Sequence, residues 1–288
     1  MKAQHIGVVA NCGKPHAPAA LKRLSDKAKT LGLSVVCTED TATLLPGARQ
    51  VETDELASEV DVLLALGGDG TMLRAVRLLA GRDTPVMGVN LGSLGFMTSV
   101  PEQDLEQALE VLAAGTFHVS HRTLAECDAY HGEQLAGSYR ALNDVVVGWG
   151  SSSRVLTLDL ALDGEPVTTY MCDGLIVSTP TGSTGHSLSA GGPILHPETP
   201  AFAISVICPH ALSHRPLIVP DRSAITVQVA NTSSELLLSI DGQEQTRVST
   251  GDRLEIRRSE QGVRFVHCPE YSYFSLLRQK LGWRGSSV

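Results

Sequence analysis

The sequence predicts an α/β N-terminal domain built on a parallel sheet, a β-rich and mainly antiparallel C-terminal domain, and a final helix that returns to the first domain. Strand and helix signals alternate through the first 120 residues. Beyond them helices become scarce, and short β-rich runs follow, separated by Gly, Asp, Asn and Ser; helical spacing reappears only at the end. Alternation builds parallel sheets through helical crossovers, whereas closely spaced strands with turn residues build antiparallel ones. The expected domains are 1–121, with 268–288 packed back on it, and 122–267.

The first strand is Ile6 to Ala10, too short an apolar stretch for a signal peptide. A helix is expected over Ala17 to Leu31, because Leu21, Leu24, Ala28 and Leu31 recur on one face. Strands follow at Ser34 to Cys37, Asp61 to Leu66 and Pro85 to Val89. A helix over Asp104 to Ala113 carries Leu105, Ala108, Leu109 and Leu112, with Gly115 as its C-cap. Further strands are expected at Ala141 to Val147, Arg154 to Leu162, Gly174 to Ser178, Ala203 to Ile207, Ala224 to Ala230, Leu236 to Ile240, Arg253 to Ile256 and Val263 to His267. The final helix runs from Tyr271 to Leu281, with Phe274, Leu277 and Leu281 on one face.

With 288 residues and 42% hydrophobic content the chain has ample material for a packed core. Its net charge of −8 argues against a nucleic-acid or anionic membrane surface, which would gather Lys and Arg. No run approaches the roughly 20 apolar residues needed to cross a bilayer, so the expected location is cytoplasmic. The six cysteines, at 12, 37, 127, 172, 208 and 268, form no close pair of the kind zinc or a redox dithiol needs. His186, His196, His210 and His214 match no zinc spacing either, and no nucleophile elbow, P-loop or protein-kinase signature occurs.

The run Gly67-Gly68-Asp69-Gly70-Thr71 carries the most chemical content. An apolar strand, Asp61 to Ala65, empties into it through Leu66, and a helical pattern from Met72 to Leu79, including Arg74, follows. Its glycines let the backbone approach an anion and turn N–H groups toward it, near the helix's positive end. A carboxylate repels phosphate, so Asp69 inside such a loop addresses a hydroxyl or a metal instead. The same letters also write a tight strand-to-helix turn with an N-cap aspartate.

Asn143-Asp144 stands at the mouth of an apolar run, which suits a sugar diol and equally suits a turn. From Cys172 to Pro193 a strand enters a hydroxyl- and glycine-rich stretch. There Thr179, Thr181, Ser183, Thr184, Ser187 and Ser189 offer partners for ribose and phosphate oxygens, although an ordinary loop has the same composition. Asn90 to Met97, including Leu94, follows a strand's carboxyl end, the ligand-bearing edge of an open parallel sheet; its Phe96 walls an adenine pocket or plugs the core. Asp241-Gly242-Gln243 reads as a hairpin turn. The first βα turn, Asn11 to Pro15, lacks the dinucleotide fingerprint.

Taken together and in this order, these blocks resemble the NAD kinase family, which phosphorylates the adenosine-ribose 2′-hydroxyl of NAD to make NADP. The likeness runs from Gly67 to about Gln243. The GGDGT block is shared with lipid kinases of the diacylglycerol and sphingosine type and with 6-phosphofructokinases; Asp173 to Pro193, Asn143-Asp144 and Pro209 to Pro216, including Leu212, are more diagnostic. The resemblance implies that Asp69 is the general base facing the 2′-hydroxyl and that Gly67, Gly68, Gly70 and Thr71 help hold the donor phosphates. It implies that Phe96 borders the adenine, that Asn143 and Asp144 replace the family's Asn-Glu pair on the dinucleotide, and that Asp173 meets the nicotinamide end. Thr181, Thr184, Gly185 and Ser189 would line the adenosine side, with Arg74, His186 and Gln243 also in the substrate-binding set. His186 stands where the family commonly has Tyr and offers less stacking area; Asp144 is one methylene shorter than Glu. The resemblance further implies NAD and ATP or polyphosphate as substrates, Mg²⁺ or another divalent cation held through the donor phosphates, and a homodimer or homotetramer.

Two other functions share parts of this pattern. A lipid kinase using the GGDGT loop needs an apolar acceptor cleft, where this chain has polar residues. A dinucleotide sensor would bind NAD(H) without turnover. In the kinase reading a carboxylate about 2.6–3.2 Å from the hydroxyl takes its proton as the bond to phosphorus forms, and alignment with charge neutralisation supplies the rest.

Overall fold

A strand with no polar face is stable only when both of its faces are covered, and the apolar runs of the N-terminal part obtain that cover from helices. The computed structural model describes residues 2–93, 95–149, 155–211, 213–232 and 236–283; Leu94, Arg154 and Leu212 lie outside them. The chain divides into two units, Met1–His121 with Val263–Val288, and Arg122–Gly262.

The first unit runs β1 (His5–Ala10), α1 (Ala17–Leu31), β2 (Ser34–Cys37), α2 (Glu39–Ala42), β3 (Arg49–Gln50), β4 (Val62–Gly67), α3 (Asp69–Leu78), β5 (Val86–Asn90), β6 (Val100–Pro101), α4 (Leu105–Ala114) and β7 (His118–Arg122). β1 pairs in parallel with β2 on one side and with β4 on the other, from Ile6 opposite Val62 to Ala10 opposite Leu66. The order β3-β2-β1-β4-β5 therefore reverses direction at β1 and β4. Helix α1 ends at Gly32, whose φ of 69° suits the left-handed cap that glycine adopts without strain. It buries Ala17, Ala20, Leu21, Leu24 and Ala28. Arg23 ties α1 to α4 through Glu106, 2.6 Å from its Nε.

The second unit is β8 (Ala125–His131), β9 (Gln134–Ala141), β10 (Asp144–Trp149), β11 (Leu156–Leu162), β12 (Glu165–Cys172), β13 (Gly174–Ser178), α5 (His186–Ser189), β14 (Ala201–Ile207), β15 (Leu217–Pro220), β16 (Ile225–Asn231), β17 (Leu236–Ile240), β18 (Glu244–Val248) and β19 (Asp252–Arg258). They form two six-stranded sheets, ordered β15-β14-β13-β10-β17-β18 and β12-β11-β16-β19-β8-β9, in which neighbouring strands run antiparallel. Period-two alternation places Leu156, Leu158 and Leu160 of one sheet in a single core with Val145, Val147, Leu175 and Val177 of the other.

The chain then supplies β20 (Val263–His267) and α6 (Tyr273–Leu281). β20 lies in the first sheet beside β5, with Phe265 aligned to Val86, so this run belongs to the first unit and not to the β-rich domain where its composition placed it. A β-rich run does not reveal which sheet has an edge open for it. Helix α6 starts later than its apolar spacing suggests, because Ser272 caps it by accepting from the Ser275 N–H. The buried pair is Leu276 and Leu277, while Phe274 is 60% exposed and lies off the buried face. The run Ala141 to Val147 is also two strands, since β9 ends at Ala141 and β10 begins at Asp144. β3, β6, β7, β8, β9, β12, β15 and β18 escaped the sequence reading; β9, for example, is exposed along most of its length and shows no apolar period. Leu24→Ala removes a fully buried side chain from the α1 face. It should destabilise the protein by about 2–5 kcal/mol, read as a lower urea midpoint.

Candidate functional site

In an open parallel sheet, ligands bind beyond the carboxyl ends of the strands where the strand order reverses. Here the reversal brings the turn after β1 beside the turn after β4, and the Asn11 N–H donates to the Leu66 carbonyl at 2.9 Å. A cleft of about 490 Å³ opens there, lined by Ala10, Asn11, Cys12, Lys14, Asp40, Gly68, Gly70, Thr71 and Arg74. Gly68 is the N-cap of α3, and Asp69, Gly70 and Thr71 form its first turn, so the helix's positive end faces this cleft. Gly67 permits the tight junction: a Cβ there would fall 2.1 Å from Thr71 Oγ1 and 3.2 Å from Asn11 Cβ.

Arg74 reaches the cleft and pairs with the Asp40 carboxylate. Burial disfavours the charged form of Asp40, but the Thr38 hydroxyl at 2.5 Å and the Arg74 guanidinium outweigh it and hold this carboxyl below the usual range. Lys14 brings a second cation; a methyl on Gly92 would lie 3.9 Å from its Nζ. Sequence reasoning missed Lys14 because its turn lacks a phosphate-binding fingerprint. The signal was its place after the first strand, which only the sheet order makes meaningful.

Asp69 does not cap its own helix. Its Oδ2 accepts from the Phe96 N–H at 2.8 Å and its Oδ1 from the Met97 N–H at 3.0 Å. An ionised carboxylate offers about four lone-pair directions, so two remain for other partners. The grip depends on Gly95, where a Cβ would meet Asp69 Oδ1 at 1.9 Å. Asn90 shapes the same loop, donating to the Ser93 carbonyl at 2.7 Å and to Thr98 Oγ1 at 2.9 Å, and accepting from the Gly92 N–H. The half-buried Phe96 ring lies 5.4 Å from Lys280 Nζ of α6.

A second cluster lies in the second unit, where β10 begins and β13 ends. The Thr179 N–H donates to the Asn143 carbonyl at 2.9 Å, and the Ser178 hydroxyl reaches the same oxygen. Gly182 packs so close that a Cβ would lie 2.1 Å from the Asn143 oxygen. This brings Asn143, Asp144 and Thr181 together. The buried Asn143 Oδ1 and Thr181 Oγ1 have no hydrogen-bond partner among the described residues, a costly arrangement unless a ligand group completes it. Burial, with the nearby Asp241 carboxylate second, pushes the Asp144 carboxyl up to about 7. Thr184 sits one turn on, its hydroxyl on the Thr181 carbonyl, followed by Gly185 as N-cap of α5, then His186 and Ser189, all three exposed.

The hydroxyls of the same stretch divide into two sets. Thr179, Ser183 and Ser187 are fully buried and hold the loop: Ser183 donates to the Pro180 carbonyl and accepts from the Leu195 N–H, and Ser187 meets Ser205 at 3.0 Å. They are scaffold, contrary to the reading that offered them to a ligand. Asp173 is not part of the cluster. It precedes β13 while Thr179 follows it, a separation of roughly 20 Å for six extended residues, and its carboxylate accepts from the exposed Cys208 thiol. Gln243 lies in the β17–β18 hairpin turn, which approaches Asn143 and Asp144 through Asp241.

Comparison with known proteins places both units. Residues 6–117 match the family described as ATP-NAD kinase N-terminal domain, and residues 142–268 match the ATP-NAD kinase C-terminal domain. The chain is 37% identical over 281 residues to an NAD kinase of Syntrophotalea carbinolica, covering 97% of this chain and 99% of that one. An NAD kinase of Gemmatimonas aurantiaca is 39% identical over 283 residues, covering 98% and 97%. Among solved structures, yeast NADH kinase complexed with NADH superposes with a TM-score of 0.92 at 27% identity, over 99% of this chain and 89% of that one. An NAD kinase from Archaeoglobus fulgidus in complex with ATP gives a TM-score of 0.75 at 26% identity, over 96% and 97%. With both of its domain types matched and its relatives aligned nearly end to end, the chain belongs to the ATP-NAD kinase family.

Proposed function

We propose that the protein transfers the terminal phosphate of ATP to the 2′-hydroxyl of the adenosine ribose of NAD, forming NADP, with Asp69 as the general base. The observation that carries this reading is a carboxylate fixed by two backbone amides between glycines that line a cleft holding two cations. A base held in this way needs no rotamer search before it accepts a proton. The cleft, with the α3 N-terminus, Gly68, Gly70, Thr71, Lys14 and Arg74, is the donor-phosphate site. Asn143, Asp144, Thr181, Thr184, Gly185 and Ser189 hold the adenosine side of NAD, His186 stacks on it, and Asp173 serves the nicotinamide end. The complexes of the two solved relatives, one with NADH and one with ATP, support the choice of substrates.

A divalent cation belongs with the donor. Asp40 is committed to Arg74 and Thr38, and Asp69 accepts two amides, so these side chains suit a cation that arrives on the donor's own phosphates. Bound there, it neutralises phosphate charge; the protein's part is to align donor and hydroxyl and to take the proton.

Incubation with NAD, ATP and Mg²⁺ should yield NADP, and its absence would leave the sensor reading in place. Asp69→Asn keeps one acceptor oxygen but is a far weaker base, and should lower kcat by about 100-fold or more with little change in NAD affinity. Near-normal turnover would defeat the assignment. Gly95→Ala drives a methyl into the Asp69 carboxylate and should cost about 100-fold in kcat in a folded protein, checked by circular dichroism. Lys14→Met removes a cation from the donor cleft and should raise the KM for ATP about tenfold while leaving the KM for NAD unchanged.

A further inference from the structure

The Asp241-Gly242 pair carries consecutive positive φ values of 54° and 66°, as a type I′ turn requires. Asn at the first position would serve that turn equally well, since it tolerates the left-handed region at least as readily. What Asp adds is a second acceptor oxygen and a charge. Both are used: Oδ2 accepts from the Leu142 N–H at 2.9 Å, and Oδ1 accepts from the Asn143 N–H at 2.7 Å and the Asp144 N–H at 3.1 Å. Three consecutive amides thus close on one carboxylate. The Asp241 N–H returns a bond to the Asp144 carbonyl at 3.0 Å.

The opposite side of the same turn is held by β13, through the Thr179 N–H, the Ser178 hydroxyl and the close packing of Gly182 on Asn143. With its N–H groups and the Asn143 carbonyl taken, the turn presents side chains: the unpartnered Oδ1 of Asn143 and the carboxyl of Asp144. From these contacts we infer that Asp241 is a positioning residue for the acceptor, clamping residues 142–144 so that Asn143 and Asp144 meet the adenosine ribose of the dinucleotide; this rests on the role proposed above for that pair. Asp241 also acts through its charge. Across the sheet from Asp144, Ser178 on β13 is uncharged, and beyond the end of β17 the Asp241 N–H meets the Asp144 carbonyl; the charged side chain that acts on Asp144 is Asp241.

Steady-state kinetics of Asp241→Asn test the inference, because Asn preserves the turn and one acceptor oxygen while removing the charge and setting an NH₂ against one amide. The KM for NAD should rise at least tenfold, with kcat within about threefold and the KM for ATP unchanged. The pH at which the KM for NAD changes should also move lower, since Asp144 ionises more readily without a negative neighbour. An unchanged KM for NAD with an unmoved profile overturns the role. Asp241→Gly, equally at ease at this φ, should raise the KM in the same way, and it decides the question if the Asn variant does not fold. Combined with Asp144→Asn, either variant should add less than about twofold to the loss, whereas multiplicative losses would show independent action and overturn the inference. No NADP from the wild-type protein sinks the proposed function and this inference together; normal NADP formation with an unaltered KM in the variants sinks the role of Asp241 alone.

Discussion

Parallel pairing of β1 with β4 is the constraint on which the first unit's chemistry depends. Five aligned residues, Ile6 with Val62 through Ala10 with Leu66, bring two turns from distant parts of the sequence to the same sheet edge. One turn contributes Asn11 and Lys14, the other the glycines and the start of α3. A slip of one residue in that register would turn every buried side chain of the strand to the opposite face, and it would also carry the two turns out of step. Apolar burial here therefore sets a polar geometry to which the paired residues contribute little beyond Ala10 at the cleft wall and the Leu66 carbonyl.

Carboxylates complete what the strands begin. Asp61 accepts from the Gln4 and His5 N–H groups, Asp69 from those of Phe96 and Met97, and Asp241 from three at residues 142–144. Each acid fixes a segment distant in sequence, the start of β1 for Asp61 and a loop for the other two, by holding its backbone, so that segment's side chains take no part in these bonds. Charge-assisted bonds to amides are among the stronger polar interactions available, which suits loops whose own side chains must remain uncommitted. Glycine is the counterpart of this device: Gly95 and Gly182 stand where any Cβ would collide with an anchored group.

Much of this was legible in the sequence, for identifiable reasons. Helix α1 was readable from Ala17 to Leu31 because its apolar residues recur on one face, and Gly115 marked the end of α4 as its C-cap. The GGDGT loop announced itself through glycine density after an apolar strand. What the sequence concealed was long-range. Lys14 acquires meaning only from strand order, and the partners of Asp69 and Asp241 are backbone groups, which carry no side-chain letter to read. The two sets of hydroxyls between Thr179 and Ser189 differ in burial, a property that identical residue types cannot display. Phe274 was misplaced because the buried face of α6 centres on Leu276 and Leu277, and at 3.6 residues per turn Phe274 lies about 160° around the helix from Leu276.

The return of β20 to the first sheet has a consequence for synthesis. The second unit is an insertion, entered after His121 and left at Gly262, so the edge of β5 lacks this partner until residues 263–267 have left the ribosome. Throughout translation of the insertion the nascent first unit carries unpaired backbone at that edge, the kind of surface on which other chains can template. Completion of its fold is thereby tied to delivery of the whole polypeptide, and a message truncated inside the second unit would yield a product with an open sheet.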